Sequence, residues 1–225
     1  MVELRYRKGE HTHMLKVKTS QGILSITTDM TGKMSGMGSI NTSCLVNSFC
    51  LAHRNIKGSI CQGCFAFKQL KRYLNQDIVY QENMKTLSSG IIPMEELPFL
   101  NYGYFRIEAF GDIENLNQCI NYLNLIKKNP HCNFAWWTKN PIILNLALKK
   151  LDNKKPKNLQ VILSSLYTNK PQANQFWFVD KVFTVYDKEF IKQNSININC
   201  GARNCLGCLK CYKKNNIKDI REQLK

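Results

Sequence analysis

The chain has 225 residues, of which 44% are hydrophobic, and it contains ten cysteines and carries a formal net charge of +16. This length is enough to bury a sizeable core without disulfide staples, in one α/β domain or in two small domains. Because the chain has no run of about 18 apolar residues, and its first segment lacks the apolar core of a signal peptide, we expect a cytoplasmic protein with no membrane contact.

The first half of the chain predicts one strand, a cysteine-rich loop and a long helical stretch. The strand is supplied either by GILSITT at residues 22–28 or by GSINTS at residues 38–43. The loop after it contains the first cysteine group, with the spacing C-x5-C-x10-C-x2-C: Cys44, Cys50, Cys61 and Cys64. The helical stretch that follows covers residues 65–89.

From about residue 100 onward, apolar runs of strand length alternate with segments of helical period. The predicted strands are YGYFRIEAF (102–110), CNFAWWTK (132–139), LQVILSSLY (159–167) and KVFTVYD (181–187). Between them, an apolar stripe from Ile113 to Ile126 predicts one helix, and Asn140 with Pro141 predicts the start of another.

This alternation predicts an α/β fold, either a partial (β/α) barrel or an open parallel sheet. We assign residues 1–195 to a single α/β domain that carries the first cysteine group. Residues 196–225 form a cysteine-rich C-terminal segment with a basic tail, which we expect to pack on the same domain. Functional groups in such folds lie at the carboxyl ends of the strands.

The C-terminal segment contains the second cysteine group, with the spacing C-x4-C-x2-C-x2-C: Cys200, Cys205, Cys208 and Cys211. Cytoplasmic thiols stay reduced, so the two groups indicate metal or redox chemistry rather than disulfides. Each contains a C-x2-C pair, whose spacing lets two thiolates reach one metal from a single turn. The two remaining cysteines, Cys119 and Cys132, are expected in the core.

Sites made of cysteine thiolates hold either zinc or an iron–sulfur cluster. The run from Cys205 to Cys211 matches the first three ligands of a bacterial ferredoxin motif. One C-x2-C pair from each group can instead form a single shared zinc site, as in zinc ribbons. Both alternatives stay open at this point.

Two charged residues lie within the strand predicted at residues 102–110. The alternation of a strand places Arg106 and Glu108 on the face opposite Ile107 and Ala109. Charges on a central strand need partners, so these two either pair with each other or face a polar cavity. We expect the cavity and treat both as candidates for substrate binding.

Four stretches taken together resemble the phage-type "gene product 88" domain family, over roughly residues 20 to 212: MSGMGSINTSCLVNSFC, ICQGCFAFK, RIEAFGDIENLNQCINYLNLIKKNPHCNFAWWTKNP and CLGCLKCY. That family resembles the radical S-adenosylmethionine proteins, as a compact and distant relative. Its C-x2-C-Tyr pair corresponds to Cys61 and Cys64, with Phe65 in place of tyrosine.

The resemblance implies a [4Fe-4S] cluster on Cys50, Cys61 and Cys64, and a second iron–sulfur cluster or zinc on the C-terminal group. The superfamily spacing is C-x3-C-x2-C, and the longer gap here leaves Cys44 as a rival third ligand or as a fourth. Three ligands leave one iron open to bind S-adenosylmethionine, whereas four close the site. An enzyme of this type also requires an electron donor; its substrate stays unknown.

The resemblance also implies cofactor contacts at two strand ends. Gly111 and Asp112 correspond in position to a glycine-rich acidic turn that contacts the amino group of S-adenosylmethionine. Thr138, Lys139 and Asn140 correspond to a turn at the next strand end. The alternative for Asp112 and Asn140 is a plain helix N-cap.

The competing prediction is a non-catalytic zinc or iron–sulfur module that contacts nucleic acid. A net charge of +16 attracts polyanions. Trp136 and Trp137 lie beside Lys139, and in this interpretation the two indole rings stack on bases.

Overall fold

The structure is a computed structural model that describes residues 14–224; the N-terminal residues 1–13, which include most of the first segment discussed above, lie outside the described part. Eight strands form one sheet: β1 Met14–Thr19, β2 Gly22–Thr27, β3 Gly38–Ile40, β4 Tyr104–Ile107, β5 Asn133–Thr138, β6 Leu159–Ser164, β7 Lys181–Tyr186 and β8 Asp219–Gln223. Within the described range there are seven α-helices: α1 Ser48–Arg54, α2 Phe65–Arg72, α3 Leu74–Ser89, α4 Leu116–Lys128, α5 Pro141–Lys150, α6 Lys188–Asn194 and α7 Cys205–Cys208.

The strands follow one another across the sheet in chain order, from β1 at one edge to β8 at the other. The first three strands are antiparallel neighbours, whereas every pair from β3 to β8 is parallel. The fold is therefore α/β with an open, mostly parallel sheet, which confirms one of the two predicted architectures. No helix between residues 14 and 224 combines the length and the apolar character that crossing a bilayer demands.

The main core lies between the sheet and helices α3, α4 and α5. Alternate residues of the central strands enter it, for example Phe105, Phe134 and Trp136, because side chains on a strand alternate between its faces. Cys119 and Cys132 are fully buried in this core, as predicted. Sequential parallel strands with right-handed crossovers place their helices on one face, so the other face is left to the C-terminal segment.

That opposite face carries a second apolar cluster. Ala135 and Ile162 of the sheet pack there with Met37 and with Tyr212 of the C-terminal segment. Cys205 and Cys211 border the same cluster. The C-terminal cysteines therefore lie against the sheet face that the helices do not cover.

The sequence did not predict strands β1 and β8, nor the division of the long helical stretch into two helices. The edge strand β1 and the C-terminal strand β8 have few buried residues, so neither contains the apolar run that marks the central strands. Both alternatives for the first strand are strands, and the cysteine loop follows β3, the first of the parallel strands. The long helical stretch is divided at Tyr73, which has non-helical backbone angles.

Candidate metal centres and their cavity

A cavity of about 2060 Å³ contains both cysteine groups. It opens at the carboxyl ends of the central strands and extends over the sheet face opposite the helices. All eight grouped cysteines line it, and so do six of the other predicted site residues: Arg106, Glu108, Gly111, Asp112, Thr138 and Lys139. Two groups that are far apart in sequence thus line one open cavity.

The first group is centred on Cys64. The thiol of Cys44 donates a hydrogen bond to the sulfur of Cys64, and Cys44 is only 2% exposed. Cys50 and Cys61 both lie close enough to Cys64 for its charge to raise the pKa of their thiols, although burial is the larger cause. All ten cysteines are free thiols.

The sulfur of Cys64 is stabilised as a thiolate. The hydrogen bond from Cys44 is the largest cause, and the backbone N–H groups of Ala66 and Phe67 at the start of α2 add to it. The ammonium group of Lys139 acts in the same direction. Together they lower the pKa of Cys64 to about 6, against the opposing effect of burial. Cys64 is therefore the more acidic thiol of the Cys44–Cys64 pair.

The second group occupies the C-terminal segment. Its four cysteines interact with one another through their charges. Burial raises the pKa of Cys211 to about 12 and raises that of Cys205 as well. Asn204 caps the single turn from Cys205 to Cys208 by accepting the N–H of Gly207 at 2.6 Å. The cap fixes the turn that presents this C-x2-C pair.

Arg106 faces the second group from the sheet. Its guanidinium lies 3.3 Å from the centre of a Trp137 ring, and its Nε donates to the backbone oxygen of Glu108 at 3.3 Å. Burial lowers the pKa of Arg106, while the neighbouring Tyr212, Cys211 and Cys205 act in the opposite direction. A cation is thus placed beside thiols that would carry negative charge on binding a metal.

Glu108 does not lie on the same side as Arg106. It has a left-handed φ of 54° just after β4 ends, which breaks the alternation on which the prediction rested. Its carboxylate accepts from Tyr122 at 2.6 Å and from Thr42 Oγ1 at 2.7 Å, as well as from Gln118 at 2.8 Å. Burial raises the pKa of Glu108 to about 8. The carboxyl group is therefore held under α4 at the edge of the cavity.

Gly111 and Asp112 form the turn that follows. Gly111 has a φ of +74°, and a Cβ there would come within 2.5 Å of Thr42 Oγ1, so this position requires glycine. The carboxylate of Asp112 accepts from Thr138 Oγ1 at 2.6 Å and from the N–H of Lys139 at 2.8 Å. Asp112 therefore ties together the carboxyl ends of β4 and β5.

The N-cap alternatives have different outcomes at the two strand ends. The N-cap of α4 is Asn115, whose side chain accepts from the N–H of Gln118, so Asp112 is not the cap. Asn140 occupies the N-cap position of α5, with Pro141 as the first helical residue, as predicted. Its side chain donates instead to the backbone oxygen of Ile113 at 3.1 Å, which holds the two strand ends together.

Some functional neighbours were missed, and one predicted contact is wrong. Thr42 binds Glu108 through its N–H and its hydroxyl and packs on Gly111. The only feature of the sequence that could have indicated this role is its position two residues before Cys44. Tyr212 directly follows Cys211 and lies beside Arg106. Trp136 is fully buried in the main core, so it has no face on which a base could stack.

Within residues 14–224, no three His, Cys, Asp or Glu side chains are gathered tightly enough to hold a single metal ion. Binding of one zinc ion at either cysteine group would require the thiols to move closer together. An iron–sulfur cluster has iron and sulfide between its protein ligands, and its thiolates therefore stand further apart.

Comparison of the chain with protein-family models, curated proteins and solved structures gives no match. The resemblance to the gene product 88 family therefore rests on the sequence motifs alone. The function has to be inferred from the chemistry of the cavity.

Proposed function

We propose that the chain is an iron–sulfur protein whose first cysteine group holds a [4Fe-4S] cluster on Cys50, Cys61 and Cys64. The observation that carries this proposal is the position of Cys64 at the start of α2, where the thiol of Cys44 and the N–H groups of Ala66 and Phe67 lower the pKa of its sulfur. Donors of this kind stabilise ligating thiolates and tune the potential of a cluster. The residues present therefore fit the group.

The surroundings of the other two ligands support the same assignment. Cys50 lies in α1 and Cys61 in the segment between α1 and α2, and both line the cavity. The charge of Lys139 lowers the pKa of each of these thiols, in opposition to burial. A cation that faces three thiols offsets part of the negative charge that they gain when they bind iron.

Cys44 is the remaining thiol of the group. Its hydrogen bond to Cys64 places it close enough to be a fourth ligand, but it also gives the thiol a role that needs its proton. We assign Cys44 as a hydrogen-bond donor to a ligand, which leaves one iron open. With four protein ligands the site would be closed.

The cofactor proposed for the open iron is S-adenosylmethionine. Held by Cys50, Cys61 and Cys64, the cluster would supply the electron, taken from a partner donor, that reductive cleavage of S-adenosylmethionine to methionine requires. The chain's own part is to hold the strand-end turns in place. Asp112 and Asn140 fasten these turns to each other, while Thr138 and Lys139 line the cavity.

The second group is proposed to hold another iron–sulfur cluster or zinc. Cys200, Cys205, Cys208 and Cys211 affect one another's pKa through their charges, and a single zinc ion there would require the thiols to move closer together. Because this centre lines the same cavity as the first, a substrate in the cavity can touch both. Arg106 then offsets the negative charge of the four thiolates.

Anaerobic reconstitution with iron and sulfide, followed by addition of S-adenosylmethionine and dithionite, tests the activity. We expect methionine and 5′-deoxyadenosine in equal amounts, detected by mass spectrometry. The variant Cys64→Ser should give neither product, while Cys119→Ala, which changes a core cysteine outside both groups, should retain both. A protein with an intact cluster and no cleavage would be a non-catalytic iron–sulfur module.

A further inference from the structure

The surface beside the first cysteine group is strongly basic. Positions 41 to 76 of the sequence contain five Lys or Arg residues and no Asp or Glu. Among these cations, Lys57, Lys68, Lys71 and Arg72 are exposed. The segment therefore presents positive charge that its own sequence does not neutralise.

Exposed aromatic rings lie among these cations. Phe65, the first residue of α2 and the neighbour of Cys64, is 72% exposed, and Tyr73 is 49% exposed. The helical spacing places Phe65, Lys68 and Arg72 on one face of α2. The guanidinium of Arg72 lies 5.6 Å from the ring centre of Tyr73. We call Phe65, Lys68, Arg72 and Tyr73 the rim surface.

The rim surface is continuous with the cavity. Phe65 and Lys68 belong to the cavity wall, together with Cys61 and Cys64. A chain bound along α2 can therefore direct one of its units toward the proposed cluster.

We propose that the rim surface binds single-stranded nucleic acid, and that a nucleic acid is the substrate class of the cavity. The second part of this statement rests on the proposed function, whereas the binding does not. Backbone phosphates pair with Lys68 and Arg72, and bases stack on Phe65 and Tyr73, the two kinds of contact that single strands use. An acidic protein would satisfy the charges but would leave the planar faces of the two rings without matching groups.

Inside the cavity the chemistry is compatible with this substrate. Arg106 and Lys139 supply positive charge along the wall, and the ring of Trp137 is covered by Arg106 on one side. Burial raises the pKa of the cavity carboxyls Glu108 and Asp112, which reduces their repulsion of a phosphate.

Fluorescence anisotropy with labelled single-stranded RNA and DNA oligonucleotides of mixed sequence tests the binding, on protein with and without the reconstituted cluster. For Lys68→Gln/Arg72→Gln we expect the slope of log K against log salt concentration to fall by about 1.4, since each phosphate contact on a single strand contributes about 0.7. Phe65→Ala should weaken binding about 5-fold or more through lost stacking.

The matched control is Lys149→Gln/Lys150→Gln, which removes two exposed charges from the last turn of α5. It should leave the slope and the affinity nearly unchanged. If the control lowers the salt slope and the affinity as much as Lys68→Gln/Arg72→Gln does, the proposal is overturned. It is also overturned if poly-L-glutamate competes for binding as strongly as an unlabelled oligonucleotide of equal charge. If the protein has an intact cluster but binds no oligonucleotide, the proposal that nucleic acid is the substrate is refuted, while the proposed function stands. If the protein binds oligonucleotides but forms no cluster, only the proposal that nucleic acid is a substrate is refuted.

Discussion

The thiol of Cys44 donates a hydrogen bond to the sulfur of Cys64, although 19 positions lie between the two residues. The contact closes the cysteine loop on itself, so that its first and last cysteines meet at the N-terminus of α2. It divides the four thiols into one hydrogen-bond donor and three candidate ligands.

Replacement of single cysteines tests this division. Cys64→Ser should abolish the first metal centre, because it removes a ligand, whereas Cys44→Ser should retain the iron, since the serine hydroxyl can still donate to Cys64. Iron and sulfide content per chain, measured after anaerobic purification, compares the two variants. An equal loss of iron in Cys44→Ser would make Cys44 a ligand.

The acidity of Cys64 can be measured on the metal-free protein. A pKa of about 6 means that its thiolate predominates above this pH, so alkylation by iodoacetamide should reach its full rate near neutrality. In Cys44→Ala the pKa should rise, because the largest stabilising hydrogen bond is gone. Mass spectrometry of the alkylated peptide as a function of pH shows whether the titration moves to higher pH; an unchanged profile would contradict the contact.

Arg106 should control the second centre. Arg106→Gln removes a cation beside Cys205 and Cys211, which should lower the reduction potential of a cluster there by tens of millivolts, since about 1.4 kcal/mol corresponds to about 59 mV for one electron. Arg106→Lys keeps the charge and should restore most of the potential. If zinc is bound instead, its release to a chelator should be faster in Arg106→Gln. Equal potentials in the two variants would mean that Arg106 acts through packing on Trp137.

Glu108 should make the stability of the fold depend on pH. Its folded pKa of about 8 lies above the ordinary glutamate value of 4.5, so the folded state holds a proton that the unfolded state releases in this interval. Stability should therefore fall as the pH rises from about 5 to about 8, by up to about 1.4 kcal/mol per pH unit. Glu108→Gln should flatten this dependence in denaturant titrations. A dependence of the same size in the variant would assign the effect to another group, such as Asp112.

The sequence predicts the central strands and helices well because they are buried. The runs that form β5, β6 and β7 are nearly continuous apolar segments, and such segments indicate a parallel sheet. At the edges this signal fails: β8 has one fully buried apolar residue, Ile220, and its charged neighbours look like a tail.

The candidate site was predictable where neighbours in sequence are also neighbours in space. The second cysteine group lies within one short segment and its four thiols line the cavity; the metal that they bind stays a prediction. Glu108 was misplaced because a single left-handed residue reverses the side that a strand residue faces. The cap at Asn115 and the approach of Thr42 to Gly111 depend on how the strand ends meet, which no local pattern contains.

The most direct measurement is the metal and sulfide content of protein purified without oxygen, together with the electron paramagnetic resonance spectrum of the reduced sample. We predict at least about four iron atoms and a similar amount of acid-labile sulfide per chain, with a spectrum that changes when S-adenosylmethionine is added. Stoichiometric zinc without sulfide, and no resonance after anaerobic reconstitution, would contradict the assignment of the first group as an iron–sulfur site.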